Sequence, residues 1–401
     1  MEQRALGMSL LGYGCMRFPK KGGHIDMEET EKLVLRAIEG GITYFDTAYI
    51  YTGSEEALGE ILARHHKRES VRIATKLPHY LIKNLDTLEK LFQTSLKRLQ
   101  TDYIDNMLMH MLPDVDIWNK LKAMGVDKWL EEKKASGQIR HIGFSFHGNA
   151  DAFIELLEAY PWEFCQCQYN YMDENSQAGR RGVQRAYELG IPVIIMEPLR
   201  GGRLTVGLPE KAKKLLSQRV PTWRSEAGIR EAASPAEWGL NWLYDQKEIA
   251  CVLSGMGEMP MLEENMRIAG TARIGMYDDR DRAVIEEVRA IVDAKIKVPC
   301  TGCGYCMPCP FGVDIPGCFR HYNNRAVDGW FSSEREYLMT TTLRAKKSYA
   351  SLCRQCGRCE KLCPQKIPIR EKLAETARVM ENPIYKIARF VSKGMFRTGK
   401  R

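Results

Sequence analysis

Two sets of residues in this 401-residue chain have types and spacings that could do chemistry. The first set is sulfur. "PCTGCGYCMPCP" carries Cys300, Cys303, Cys306 and Cys309, and "CRQCGRCEKLCP" carries Cys353, Cys356, Cys359 and Cys363. The second run is Cys-x₂-Cys-x₂-Cys-x₃-Cys-Pro, a spacing that wraps a [4Fe–4S] cubane. Three thiolates in a short loop reach three irons, and the fourth comes from farther along, where a proline turns the chain away. The first run is one residue short before its fourth cysteine, which leaves Cys309 and Cys318 as alternatives for the eighth ligand. In two-cluster proteins the fourth cysteine of each run serves the other cluster. The expected sets are therefore Cys300, Cys303 and Cys306 with Cys363, and Cys353, Cys356 and Cys359 with Cys309. Structural zinc needs Cys-x₂-Cys pairs about a dozen or more residues apart, which these tight runs do not supply.

The second set is a Tyr, a Lys, an Asp and a His. Asp46 closes "TYFD", Tyr51 follows five residues later, Lys76 ends "VRIATK" and His110 ends "YIDNMLMH". Together they suit proton donation to a carbonyl oxygen. A phenol with a reference pKa of about 10 donates poorly at neutral pH unless its phenolate is stabilised. A neighbouring ammonium would do that, and Asp46 would keep Lys76 charged and oriented. A neutral His110 would hydrogen-bond the substrate oxygen.

These residues need elements to hold them. Eight short β-rich runs precede residue 270: "MSLLGYG", "TYFDTA", "VRIATK", "YIDNMLMH", "IRHIGFS", "FCQCQYN", "PVIIMEPL" and "IACVLSG". Several are apolar at consecutive positions, as strands buried on both faces are. Helical stretches fill the gaps. "DMEETEKLVLRAIEGG" opens with acids and stops at Gly-Gly, and Ser234 with Pro235 opens another. Eight alternations over about 270 residues point to a closed (β/α)₈ TIM barrel. A doubly wound sheet is the runner-up, but no Gly-x-Gly-x-x-Gly follows the first strand. Residues 203–230 read as an irregular, charged insertion over the barrel mouth. The expected domains are a barrel over 1–275, a connecting helix over 276–297, a small, mostly helical ferredoxin-like iron–sulfur domain over 298–380, and a basic tail over 381–401.

Composition sets the outer limits. An apolar share of 44% with 27% charged residues is that of a soluble protein. No apolar run approaches the roughly 20 residues that span a bilayer, and the start lacks the pattern of a signal peptide. A cytoplasmic location is expected, with no integral membrane segment and no nucleic-acid partner. The net charge of +8 is uneven: from Val298 onward 19 basic residues face 8 acidic ones. That flank could dock an acidic one-electron carrier such as a ferredoxin or flavodoxin, or it is a solvated face.

"FDTAYIYTGSEEALGEIL", "IATK", "YIDNMLMH", "RHIGFSF" and "MEPLRGGRL", in this order, resemble the aldo-keto reductase superfamily. Joined to the cysteine runs, they resemble its bacterial and archaeal branch with a C-terminal two-cluster domain. The resemblance implies that Asp46, Tyr51, Lys76 and His110 form a catalytic tetrad serving hydride transfer from NADPH or NADH. It implies that Ser145 and Gln166 hold the carboxamide, that Leu199, Gly201 and Gly202 approach the pyrophosphate, and that Asn265 serves the adenosine end. The chain departs from the family at Ser145-Phe146-His147, where Ser-Asn is common. It also departs in "SGMGEMPMLEEN", which lacks the bases that grip a 2′-phosphate. A nicotinamide gives two electrons and a cluster takes one, so direct exchange between them would need a carrier such as a flavin. Three functions follow as expectations: a carbonyl reductase or alcohol dehydrogenase, a ferredoxin-linked oxidoreductase, and a non-catalytic electron-transfer protein.

Overall fold

The computed structural model describes residues 2–294, 296–300, 302, 304–344, 346–363 and 365–395. Each of the eight β-rich runs forms a strand: β1 (Leu11–Gly14), β2 (Tyr44–Asp46), β3 (Arg72–Pro78), β4 (Ile104–His110), β5 (Ile139–Phe146), β6 (Phe164–Gln168), β7 (Val193–Met196) and β8 (Ile249–Ser254). Every neighbouring pair is parallel, and β8 returns to β1 to close the barrel. The doubly wound alternative is thereby excluded.

Strand alternation sets what the interior contains. Tyr44, Ala74, Leu108, Phe164, Ile194 and Cys251 form an apolar floor, sealed from below by Met8 of a short antiparallel hairpin (Gln3–Ala5 with Met8–Ser9). Side chains two residues further along a strand share its face, one level up. That level holds Asp46, Lys76, His110, Gln166, Met196 and Leu253. The residues between them, such as Phe45, Ile73 and Met109, point outward into the core shared with the helices.

Local signals place the helices around this barrel. Asp26 caps Met27–Glu39, accepting the Glu29 N–H, and Gly40 ends that helix. Ser234 caps Pro235–Tyr244 through the Glu237 N–H. The helix Ser54–Arg64 packs tightly on Leu85–Leu99: a Cβ on Gly59 would lie 2.4 Å from the Arg98 carbonyl oxygen, so only glycine fits.

Residues 203–230 depart from the expected irregular loop. They form helices at Glu210–Ser217 and Thr222–Glu226. Trp223 is buried, stacked on Tyr277 at 4.7 Å and edge-on to Trp238 at 4.9 Å. Burying that indole draws the second half of the segment to the barrel's side, and only its beginning and Lys213 reach the mouth. The connecting helix Asp279–Asp293 is likewise more than a connector. It starts with a capping box between Asp278 and Asp281, and its Val284, Ile285, Val288 and Val292 belong to the barrel's core.

A second core begins at Val298 and runs to Tyr385, gathering Phe319, Tyr322, Tyr337, Leu373 and Met380. It is built from the helices Ile315–Asp328, Trp330–Thr341, Ile369–Met380 and Pro383–Met395, with a short turn of helix at Arg358–Lys361. The segment expected as a tail is thus helical through Met395, and its Tyr385 is buried in this core. Among the described residues no helix is long and apolar enough to cross a membrane.

Candidate active site

The polar layer above the barrel floor opens into a cavity of about 1220 Å³ at the C-terminal ends of the strands. At its base Lys76 is 1% exposed, and its ammonium donates to Asp46 Oδ2 at 2.6 Å and to the Thr47 carbonyl at 2.7 Å. Loop backbone brings Tyr51 over this pair. The Thr47 N–H donates to the Ala74 carbonyl and the Tyr51 N–H to the Ala48 carbonyl, so the chain after β2 folds back across the top of β3. Buried Glu55, one turn on, accepts from Thr75 at 2.6 Å and anchors the next helix above β3. The Lys76 ammonium then sits 5.1 Å from the centre of the Tyr51 ring, and the His110 ring stands edge-on to that ring at 6.0 Å.

Electrostatics define what each group can do. Burial would depress the Lys76 pKa, but Asp46 and then Tyr51 outweigh it and raise it, so the ammonium is held charged. Burial lifts the Asp46 carboxyl above its usual range, and the adjacent ammonium opposes that rise. The Tyr51 phenol is pushed above its ordinary value by burial, with Lys76 pulling it back and Asp46 adding to the rise. The reference value of about 10 for a phenol makes Tyr51 a protonated group throughout the neutral range. The ammonium is therefore not what keeps it protonated; what the ammonium can do is lower the cost of a phenolate. Burial, then the Lys76 charge, holds His110 far below the usual histidine range, so its imidazole is neutral.

Of the residues expected to meet a nicotinamide, Gln166, Leu199, Gly201, Gly202 and Asn265 line this cavity. Gly201 and Gly202 have φ values of 63° and 90°, conformations open to glycine. The N-terminus of the helix Pro235–Tyr244 faces the same wall, an arrangement suited to a phosphate. The buried Gln166 Oε1 has no partner among the described residues and stands ready for an amide N–H. Ser145 is placed differently. Its hydroxyl oxygen accepts the Met111 N–H at 2.8 Å, and it backs the loop after β4 instead of lining the cavity. Asn265 donates to Ser254 at 2.9 Å. Where the adenosine end was expected, Glu258 and Glu264 line the wall, Glu263 is paired with Arg36 at 2.6 Å, and Arg267 is paired with Glu237 at 2.7 Å.

Sequence reasoning missed two groups of cavity residues. His147 and Tyr80 belong to barrel loops, whose side chains follow no strand alternation. Arg335, Glu336, Met339 and Leu343 come from the helix Trp330–Thr341 and its end, which roof the mouth from the second domain. No local signal reports how two domains dock.

The cysteines surround two further cavities. One is lined by Cys353, Cys356, Cys359, Cys306 and Cys309, the other by Cys300, Cys306 and Cys363. Cys303 lies outside the described residues. Cys318 lines neither cavity: it is fully buried in the second core, its thiol 3.6 Å from the Ser348 carbonyl. Among the described residues no three His, Cys, Asp or Glu side chains converge on a point that could hold one metal ion. Thiols spread round a cavity instead suit a group several ångströms across, as a cubane is. The donor set therefore fits iron–sulfur clusters.

Comparison with known proteins agrees with this geometry. Residues 10–285 match the model of the aldo/keto reductase family, and residues 299–378 match that of the 4Fe-4S dicluster domain. Aldo-keto reductase str7 of Strobilurus tenacellus is 26% identical over 71% of this chain and 91% of its own length. Aldo-keto reductase yakc [NADP(+)] of Schizosaccharomyces pombe is 25% identical over 71% and 88%. The fold is shared with aldo-keto reductase AKR11C1 from Bacillus halodurans in its holo form, at a TM-score of 0.57 and 24% identity, covering 72% of this chain and 96% of that one. A barrel whose mouth carries a buried Lys–Asp pair beneath a tyrosine, followed by eight clustered thiols, thus belongs to the aldo/keto reductase family of oxidoreductases, with a 4Fe-4S dicluster domain at its C-terminal side.

Proposed function

We propose that the barrel reduces a carbonyl compound, or oxidises the matching alcohol, with Tyr51 as the acid–base group. The observation that carries this reading is the buried Lys76–Asp46 pair beneath a protonated Tyr51, beside a neutral His110. A reduced nicotinamide held along Gln166, Leu199, Gly201, Gly202 and Asn265 supplies the hydride. The substrate carbonyl oxygen accepts hydrogen bonds from the Tyr51 hydroxyl and the His110 imidazole, which polarises the carbon. As the C–H bond forms, the carbonyl π pair moves onto oxygen and takes the Tyr51 proton. The phenolate left behind is held by the Lys76 ammonium until it is reprotonated from solvent. The acidic adenosine end, with its nearest bases already paired, favours NADH over NADPH. A relative's name carries NADP(+), and the structural neighbour from Klebsiella pneumoniae was solved with NADPH, so this chain would differ from both. The test is Tyr51→Phe. Turnover of aldehydes should fall by about 10²–10⁴-fold while NADH binding, followed by its fluorescence, stays unchanged. Undiminished turnover would remove Tyr51 from the mechanism.

Cys300, Cys303 and Cys306 with Cys363, and Cys353, Cys356 and Cys359 with Cys309, are the two proposed ligand sets, and clusters there supply one-electron chemistry. One observation favours a link between them and the barrel. The first cysteine loop abuts it: a Cβ on Gly302 would lie 3.0 Å from the Asn175 carbonyl oxygen. The second run faces outward, with Cys356 exposed and Arg354, Arg358 and Arg370 around its cavity, a surface suited to an acidic electron carrier. In this second reading a flavin in the mouth would convert between paired and single electrons. Anaerobic addition of NADH to iron-loaded protein separates the two readings. Bleaching of the cluster absorbance requires such a link, and binding without bleaching leaves the reductase alone.

A further inference from the structure

We propose that the C-terminal domain supplies the anion-recognising wall of the substrate pocket: Arg335, on the helix Trp330–Thr341, binds a carboxylate or phosphate carried by the carbonyl substrate. The inference rests on the reading of the barrel as a carbonyl reductase and names the substrate class of that same site.

The cavity that holds Tyr51 and His110 is roofed by Arg335, Glu336, Met339 and Leu343 of the second domain. Two ion pairs connect that roof to the barrel. Lys346 meets Asp116 at 2.8 Å, and Arg344 meets Asp114 at 3.9 Å. Between the polar base and the roof the walls are largely apolar, with Tyr80, Pro113, Met339 and Leu343. Such a chamber fits a molecule with a reacting carbonyl at one end and an apolar body.

The charges decide what the far end must carry. At the base, Lys76 and Asp46 neutralise each other. On the flank, Arg17 lies 3.6 Å from Glu197, and Arg200 is bound to Asp173. Glu336, also in the lining, lies 3.8 Å from the buried His321, whose imidazole burial holds neutral. His147, in the same cavity, is held neutral: burial takes its pKa down to about 4, with Arg320 and Arg335 contributing. Arg335 is exposed to the cavity and has no carboxylate within ion-pair distance among the described residues. A guanidinium offers a planar fork of donors that matches a carboxylate or a phosphate. Among the described residues the roof of the mouth thus presents a guanidinium with no carboxylate within ion-pair distance, and an anionic substrate would complete it.

The test uses the full-length, iron-loaded protein under anaerobic conditions. The probes are 4-formylbenzoate and succinic semialdehyde, with methyl 4-formylbenzoate and butanal as their neutral counterparts, and 4-formylphenyl phosphate to separate phosphate from carboxylate. Binding is read by saturation-transfer NMR and turnover by NADH consumption. Wild type should prefer the charged probes by about 10- to 100-fold, the range for a charge-assisted contact. Arg335→Gln should erase that preference while leaving the neutral probes unchanged, and Arg335→Lys should restore part of it. Because Arg335 is exposed, both variants should keep wild-type iron content and melting temperature. A wild type indifferent to charge, or an Arg335→Gln variant that keeps the preference, would overturn the inference. Arg335-dependent binding with no turnover of any aldehyde would overturn the reductase reading and leave the anion site standing.

Discussion

Lys76→Met tests whether the base of the site is an ion pair that the fold must keep. In the wild type the ammonium makes two short contacts, 2.6 Å to Asp46 and 2.7 Å to the Thr47 carbonyl, with the lysine 1% and the aspartate 4% exposed. Removing the cation leaves a buried carboxylate whose second oxygen, Oδ1, already has no hydrogen-bond partner among the described residues. Breaking such a pair from one side costs about 3–5 kcal/mol, because the remaining charge is stranded. For a unit of this size roughly 2 °C of melting temperature corresponds to each kcal/mol, so a fall of about 6–10 °C is expected. The pH dependence identifies the cause. Burial raises the Asp46 carboxyl even with its partner present, and loss of Lys76 raises it further. An acid whose folded pKa exceeds its unfolded one binds more protons when folded, so stability falls as pH rises between the two values. The penalty should therefore be largest at neutral pH and should shrink as the buffer is taken down through the raised pKa. Lys76→Met/Asp46→Asn should recover most of the loss at every pH. Scanning calorimetry of the two variants and the wild type at pH 5, 6, 7 and 8 decides the matter. A Lys76→Met protein that melts like the wild type, or whose deficit does not change with pH, would refute the argument.

Other measurements reach the rest of the site. With the Tyr51 pKa raised and His110 held far below its usual range, carbonyl reduction should show no inflection between pH 6 and 9. Alcohol oxidation, which needs the phenolate, should climb steadily with pH, and initial rates at saturating cofactor check both. Cys309→Ser should lower the iron and sulfide content per chain, whereas Cys318→Ala should leave it unchanged, because Cys318 borders neither cysteine cavity. Equal iron loss in both variants would return the eighth ligand to question.

Much of the barrel and its site was legible in the sequence, for a physical reason. A strand buried on both faces writes its presence as a short apolar run, and its period of two fixes which residues share the interior. Asp46, Lys76 and His110 could thus be placed at neighbouring strand ends from chain position, whereas Gln166 came from the family resemblance. What was not legible depends on packing between distant segments. Residues 203–230 read as an insertion because their charges are local, while the docking of Trp223 on Tyr277 and Trp238 is not. Ser145 was expected at the carboxamide from the family resemblance, yet its oxygen is engaged by the Met111 N–H of the loop after β4. The phenol of Tyr51 was expected to be brought down by Lys76. Burial, which cannot be read from residue spacing, outweighs that pull.

The roof joins the two halves of the molecule more closely than a shared polypeptide requires. Tyr337, in the middle of the helix Trp330–Thr341, accepts the Ala350 N–H at 2.7 Å and donates to Glu381 at 2.9 Å. Glu381 in turn accepts from the Ser351 N–H and hydroxyl, two residues before Cys353. The segment that begins the second cysteine run is therefore hydrogen-bonded to the helix that covers the barrel. The wall proposed for the nicotinamide, from Gln166 to Asn265, consists of barrel residues. Stripping iron with a chelator under anaerobic conditions should loosen the first arrangement and leave the second. The expected outcome is a several-fold rise in KM for the aldehyde with the dissociation constant for NADH unchanged, measured on the same preparation before and after chelation and again after reconstitution. Parallel loss of both would mean that the clusters hold up the whole chain. Loss of neither would mean that the roof stands without them.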